Sequence, residues 1–219
     1  MIDKAVWNQW RANYDQMSLI DQKQFYQSLN GIPQLFGQEI VPVIKRFLYK
    51  NEPNVILELG GCDGELAQTI LTWGQKSMIP LWHNFDFIEY QVERDYRYQF
   101  RDITKDRNIF SISPPAMGLE SSPYFPNQTK YNIFIASHVL EHLKMKDVDR
   151  ILGTLPYNLR MIAEVPLPIE KDPDWTDYEG THIFEGNKFK FITLCHLHKF
   201  ELMYLENDCM VFQRGKVYE

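Results

Sequence analysis

Residues Val55-Ile56-Leu57 form a short apolar run that leads, through Glu58 and Leu59, into a glycine turn. The turn reads Gly60-Gly61-Cys62-Asp63-Gly64, and Glu65-Leu66 follow it as a helix start. An apolar run of this length suits a central parallel strand. Glycines let the backbone turn tightly and come close to a ligand. Asp63 is placed to cap the helix that starts near Glu65. A strand, a tight turn and a helix N-terminus in this order put backbone N–H groups where open α/β sheets bind ligands. Two common ligands are excluded by spacing. A dinucleotide turn needs Gly-x-Gly-x-x-Gly, and a phosphate loop ends in Gly-Lys-Ser or Gly-Lys-Thr. Here the turn ends Gly64-Glu65-Leu66, and its acidic residue would repel phosphate.

With Glu58, Gly60 and Gly64 in place, the turn resembles motif I of the class I S-adenosylmethionine-dependent methyltransferases, Glu/Asp-x-Gly-x-Gly-x-Gly. Cys62 stands where a glycine is usual. Later segments follow the family's order. Residues 81–89, Leu-Trp-His-Asn-Phe-Asp-Phe-Ile-Glu, come after a helix expected over Glu65–Trp73. In the resembling family an acid at the end of this second strand accepts the ribose hydroxyls. Asp86 is the preferred candidate, and Glu89 the alternative, since Glu89 also suits the start of a helix. Asp102 resembles the acid after the third strand that binds the adenine amino group; it also reads as a solvated loop aspartate. Tyr131–Leu143 has the form of the fourth strand and the Val-Leu-Glu-His-Leu segment after it, with Ser137 able to meet the cofactor through its backbone. Leu159–Pro168 reads as a fifth strand. Residues 200–213 read as a hairpin with Asn207-Asp208 in the turn.

The resemblance implies a Rossmann-like, seven-stranded, mostly parallel sheet with a C-terminal antiparallel hairpin and helices on both faces. It covers roughly residues 54–214, so the expected division is a helical extension over 1–53 and a cofactor-binding domain over 54–219. In the extension, Trp7, Trp10, Tyr14, Phe25, Tyr26, Phe36 and Phe47 punctuate polar helical stretches. Such helices either shape the acceptor pocket or cover one sheet face with core aromatics. Pro42 should mark the first turn of a helix ending at Lys50. The proline-containing stretch 111–130 reads as a loop bordering the site.

Composition bounds the class. A chain of 219 residues with 44% hydrophobic and 24% charged residues is globular. No apolar run is long enough to span a bilayer, and the first residues do not read as a signal peptide. Three cysteines, Cys62, Cys195 and Cys209, have no metal spacing and suit a reducing compartment, hence the cytoplasm. A net charge of −6 argues against a nucleic-acid partner.

Methyl transfer to a hydroxyl needs a base, a metal ion or both. That need directs attention to the six histidines. His138, Glu141 and His142 would share one face if their segment is helical. They resemble the Glu-x-x-Glu-His element of metal-dependent O-methyltransferases, including those that modify the 2′-hydroxyl of small RNAs. His182-Ile183-Phe184-Glu185 resembles the later histidine element of the same enzymes. The resemblance therefore implies a divalent-metal site of His138, Glu141, His142 and His182. His138 stands where those enzymes carry glutamate, which would favour an ion that accepts imidazole. The alternative reading keeps the same residues without a metal: His142 and His182 as bases, Glu141 beside them. Gly180-Thr181-His182 matches an acceptor-side element of sugar and quinone methyltransferases. His196 and His198 fall in a helix expected over Phe189–Phe200, and His83 reads as a strand residue. Trp175, Tyr178 and Asp172-Pro173-Asp174 precede His182 and suit a sugar ring or planar acceptor.

Two function classes follow. One is a methyltransferase acting on a small-molecule or glycan hydroxyl. The other is a non-catalytic S-adenosylmethionine-binding scaffold with a decayed site, which Cys62 allows and the retained titratable groups oppose.

Overall fold

A computed structural model describes residues 13, 21, 39–61, 64–73, 78–86, 95–102, 131–168 and 184–215. A seven-stranded sheet organises them, in the order β3-β2-β1-β4-β5-β7-β6. The strands are β1 (Val55–Leu59), β2 (Leu81–Asp86), β3 (Tyr98–Asp102), β4 (Ile133–Ser137), β5 (Arg160–Glu164), β6 (Phe200–Glu206) and β7 (Cys209–Arg214). The pairs from β3 across to β5 are parallel. β7 runs antiparallel to both β5 and β6. The helices among the described residues are α1 (Ile40–Phe47), α2 (Glu65–Thr72), α3 (Met145–Thr154) and α4 (Lys188–Leu197), with a 3₁₀ turn at Leu140–His142. This is the expected sheet, terminal hairpin included.

Alternation along each strand divides the core between two faces. On one face Ile56, Trp82, Ile135, Ile162 and Val211 meet Ile40 and Ile44 of α1 and Ile70 of α2. On the other, Leu57, Phe85, Phe134, Met161 and Phe212 meet Ile151 of α3 and Phe191 of α4. Both faces are apolar, so the central strands read as continuous hydrophobic runs.

Several boundaries differ from expectation. α1 has Pro42 in its first turn, as expected, but ends at Phe47 rather than Lys50. Asn54 explains the stop: its Oδ1 accepts from the Tyr49 amide at 2.8 Å, and its Nδ2 donates back to the Tyr49 carbonyl at 3.0 Å. α4 ends at Leu197, and Phe200 opens β6 instead of closing the helix. Lys199 has φ 66°, a left-handed residue that reverses the chain between the two. The hairpin turns at Asn207, whose φ of 51° is tolerated by asparagine. The expected loop 111–130 lies outside the described residues.

Candidate functional site

β1 lies between β2 and β4, so the chain reverses its direction of sheet growth there. Such a switch point opens a crevice at the carboxyl ends of its strands. The glycine turn occupies that crevice. Gly60 has φ 71°, and its amide donates to the Phe85 carbonyl at 2.9 Å. A Cβ on Gly60 would stand 2.7 Å from Val139 Cγ2, in the segment after β4. Gly60 is therefore required by backbone angle and by packing across the crevice. Gly61 faces inward. Its amide donates to Asn84 Oδ1 at 2.9 Å. A Cβ there would meet Glu58 Oε2 at 2.3 Å. Glu58 itself is buried, and its Oε2 accepts from the indole N–H of Trp82 at 2.7 Å. Gly64 is the N-cap of α2, with φ 79° and no side-chain cap. The cap expected from Asp63 is thus displaced by one residue onto a glycine; Asp63 and Cys62 themselves lie outside the described residues.

The other cofactor candidates fall along the same edge. Asp86 ends β2 and Asp102 ends β3, and the two are register partners. Ser137 ends β4 opposite Glu164 at the end of β5. Its hydroxyl donates to Glu164 Oε2 at 2.8 Å, an engagement beyond its expected backbone role. Glu89 lies outside the described residues.

The histidine segment departs from the expected helix. His138 follows β4 with φ 51°, and the 3₁₀ turn starts only at Leu140. The three side chains therefore do not line one face of an α-helix. The tight turn brings them together another way. Glu141 is fully buried, with Oε1 at 3.6 Å from His138 Nδ1 and 3.7 Å from His142 Nε2. His138 Nε2 reaches Glu164 Oε1 at 3.4 Å. These are ion-pair separations, longer than hydrogen bonds. Among the described residues neither carboxylate oxygen of Glu141 has a hydrogen-bond partner. Burial pushes the His138 pKa down, but Glu141 and Glu164 on either side overcome it and raise the value to about 10. Burial pushes the Glu141 carboxyl up, and His138 and His142 more than offset that, so it stays below the ordinary range. His138 thus lies between two carboxylates that favour its protonated form.

Among the described residues, no group of three or more His, Cys, Asp or Glu side chains is arranged to hold a metal ion. His138, Glu141 and His142 on their own do not fit the expected divalent-metal site. Both ring nitrogens of His138 face carboxylates, at 3.6 Å from Glu141 and 3.4 Å from Glu164. His182, Trp175, Tyr178 and Asp172–Asp174 lie outside the described residues. Two residues beyond His182, the Phe184 amide donates to the Glu141 carbonyl at 3.1 Å. Met145, the first residue of α3, donates its amide to Glu185 Oε2 at 2.8 Å.

His83 is a buried strand residue away from the crevice. Its Nε2 pairs with Gln99 Oε1 at 2.9 Å, and its Nδ1 with the Tyr131 hydroxyl. His198 ties α4 to α3 through Asp149 at 2.8 Å. Two polar side chains at the edge carried no sequence signal. Glu164 closes β5 and Asn84 sits inside β2; each is recognisable only from its strand-end or loop partner.

A parallel sheet reversed at β1, a glycine turn in the crevice and an antiparallel terminal pair define the fold of the class I S-adenosylmethionine-dependent methyltransferases. Particular solved structures carry the same fold. Human N-acetylserotonin methyltransferase in complex with S-adenosylmethionine aligns at 16% identity and a TM-score of 0.57, over 94% of this chain and 59% of that one. The chain thus spans about three fifths of that enzyme's chain. Burkholderia thailandensis 1,6-didemethyltoxoflavin-N1-methyltransferase, with its acceptor and S-adenosylhomocysteine bound, aligns at 12% identity and a TM-score of 0.55, over 97% and 88% of the two chains. A small-RNA methyltransferase aligns at 10% identity and a TM-score of 0.56, over 85% of this chain and 26% of that one. No family model and no curated protein matches the sequence. No helix among the described residues is long and apolar enough to cross a membrane.

Proposed function

We propose that this chain is an S-adenosylmethionine-dependent methyltransferase acting on a hydroxyl of a small molecule or glycan. One observation carries the reading. The carboxyl edge of the sheet holds the glycine turn and the Asp86/Asp102 pair on one side of the switch point, and an imidazole–carboxylate cluster on the other. In this reading Gly60, Gly61 and Gly64 admit the cofactor, with Glu58 beneath them. Asp86 takes the ribose hydroxyls, Asp102 the adenine amino group, and Ser137 a backbone contact. Two of the three compared enzymes are named for small-molecule acceptors, which supports an acceptor of that size; the third is named for small RNA.

The methyl donor is a sulfonium, so transfer is an in-line displacement. The acceptor oxygen bonds the methyl carbon as the carbon–sulfur bond breaks, and the hydroxyl proton passes to a base. His138 is less suited to that role, because each of its ring nitrogens already faces a carboxylate. His142 keeps 24% of its side chain exposed and is the described imidazole that can meet an acceptor. His182 is the second base candidate; Phe184, two residues on in sequence, donates its amide to the Glu141 carbonyl. Glu141 has no exposed surface and serves to orient the imidazoles. A metal-assisted version needs His182 together with His138, Glu141 and His142. Residues 1–53, whose described helix, α1, covers one sheet face, would act as a helical extension to the 54–219 core. Free, buried Cys195 and Cys209 suit a cytoplasmic protein.

His142→Ala and His182→Ala should each lower turnover at least 100-fold while S-adenosylhomocysteine affinity stays within a few-fold, roughly what loss of a general base removes. Equal loss of affinity and turnover would instead place the histidines in the cofactor site. Binding of S-adenosylmethionine with no transfer to any hydroxyl acceptor would favour the scaffold reading. Loss of turnover on chelation, restored by a divalent ion, would support the metal version.

A further inference from the structure

The underside of the glycine turn is held by polar side chains that no motif announces. Asn84 is fully buried in the middle of β2. Its Oδ1 accepts the Gly61 amide at 2.9 Å, and its Nδ2 donates to the Tyr98 hydroxyl at 2.7 Å. Tyr98 begins β3, and its ring supports the far end of the turn: a Cβ on Gly64 would stand 3.1 Å from it. Between them, Trp82 fixes the carboxylate of Glu58 against Gly61. The turn is therefore clamped at both ends by one amide side chain and one phenol, the first from β2 beside β1 and the second from β3, one strand further out.

We propose that Asn84, acting through Tyr98, is a positioning residue for the cofactor: it sets the shape in which the glycine turn meets S-adenosylmethionine. The proposal rests on the cofactor reading above. Its logic is one of hydrogen-bond inventory. Gly61 spends its N–H on Asn84, so its use to a ligand is the absence of a side chain and the carbonyl direction that this bond fixes. Asn84 supplies one acceptor and one donor at a site that needs both. Aspartate would keep the acceptor, lose the donor, and set a second buried carboxylate beside Glu58, which like-charge repulsion opposes. Alanine would leave the Gly61 amide and the Tyr98 hydroxyl without this partner. In a buried setting a lost partner costs more than the bond itself is worth.

The test separates positioning from general destabilisation. Asn54 offers the control, since it is equally buried and makes three hydrogen bonds at the opposite, amino end of β1. Asn84→Ala, Tyr98→Phe and Asn54→Ala are compared by thermal unfolding, by S-adenosylhomocysteine calorimetry, and by amide exchange of Gly61 and Gly64 in the free protein. Asn84→Ala should weaken binding about tenfold or more and Tyr98→Phe by about threefold to tenfold, the scale of one lost hydrogen bond. Asn54→Ala should lower the melting temperature yet keep affinity within twofold. Gly61 should exchange faster in Asn84→Ala, with the amides of β1 unchanged. Should Asn84→Ala fold poorly, Tyr98→Phe removes a single oxygen and carries the same test. Unchanged Gly61 exchange, or affinity losses equal in the Asn54 and Asn84 variants, would overturn the proposal. If the wild-type protein binds no cofactor while Gly61 exchange still responds, the cofactor reading fails and the clamp stands as structure alone.

Discussion

Single residues carry most of the chemistry here, and their demands are opposed. In the proposed function Gly60 admits a ligand, yet Val139 already fills the space beside it. A Gly60→Val change therefore acts on the fold as well as on binding, through φ 71° and a clash 2.7 Å from Val139. Gly60→Ala is the milder probe. It should cost about 1–2 kcal/mol from the backbone angle alone. In a Val139→Gly background, which removes both Cγ2 at 2.7 Å and Cβ at 2.9 Å, the clash is relieved but the angle is not, so chemical denaturation should show the cost of Gly60→Ala partly recovered. No recovery would mean that Val139 does not set the limit. His83 gives a second prediction, with a definite sign. Burial, opposed in part by the Gln99 hydrogen bond, lowers its pKa from 6.5 to about 4. Below pH 6.5 the unfolded chain binds a proton that the folded protein refuses until about pH 4. His83 therefore removes roughly 3 kcal/mol of stability as pH falls through that window, at 1.36 kcal/mol per unit. The stability gap between wild type and His83→Gln should narrow by that amount from pH 7 to pH 4 in urea titrations. Parallel curves would show that His83 does not couple to folding.

Elements place these residues, and the sequence announced some elements far better than others. β1, the glycine turn, α2 and the hairpin were readable because local patterns dictate them: an apolar run, glycines and an Asn-Asp turn. The fourth strand and its Leu-Glu-His segment were also legible. Their conformation was not, because the left-handed His138 and the 3₁₀ turn answer to two buried carboxylates, one of them 26 residues away on β5. Helix ends were misread where tertiary partners decide them, as Asn54 does for α1. Asn84 and Glu164 were invisible for the same reason: each is an ordinary polar residue until a loop or a neighbouring strand makes it a partner. α1 tests where the core begins. Ile44 is fully buried against the sheet, although it precedes residue 54. Ile44→Ala should cost about 2–5 kcal/mol of unfolding free energy. A cost below 1 kcal/mol would make the helix a loosely held cover.

The whole molecule joins an acidic chain, of net charge −6, to a fold whose crevice opens at the carboxyl edge of one sheet. Sulfonium donors are cationic, and acids at the ends of β2 and β3 suit a positively charged ligand that also presents hydroxyls. The scale of the fold thus agrees with the scale of the site: β1 is placed centrally, the turn after it is clamped from below, and imidazoles stand across the gap. Calorimetric titration of the intact chain with S-adenosylmethionine and S-adenosylhomocysteine examines that agreement directly. One saturable site per chain is expected for both ligands. Asp86→Ala should weaken it at least tenfold, the loss of charge-assisted hydrogen bonds worth about 1.5–3 kcal/mol. Neither heat nor thermal shift at millimolar ligand, with the protein folded, would refute the cofactor site and the methyl-transfer reading built on it.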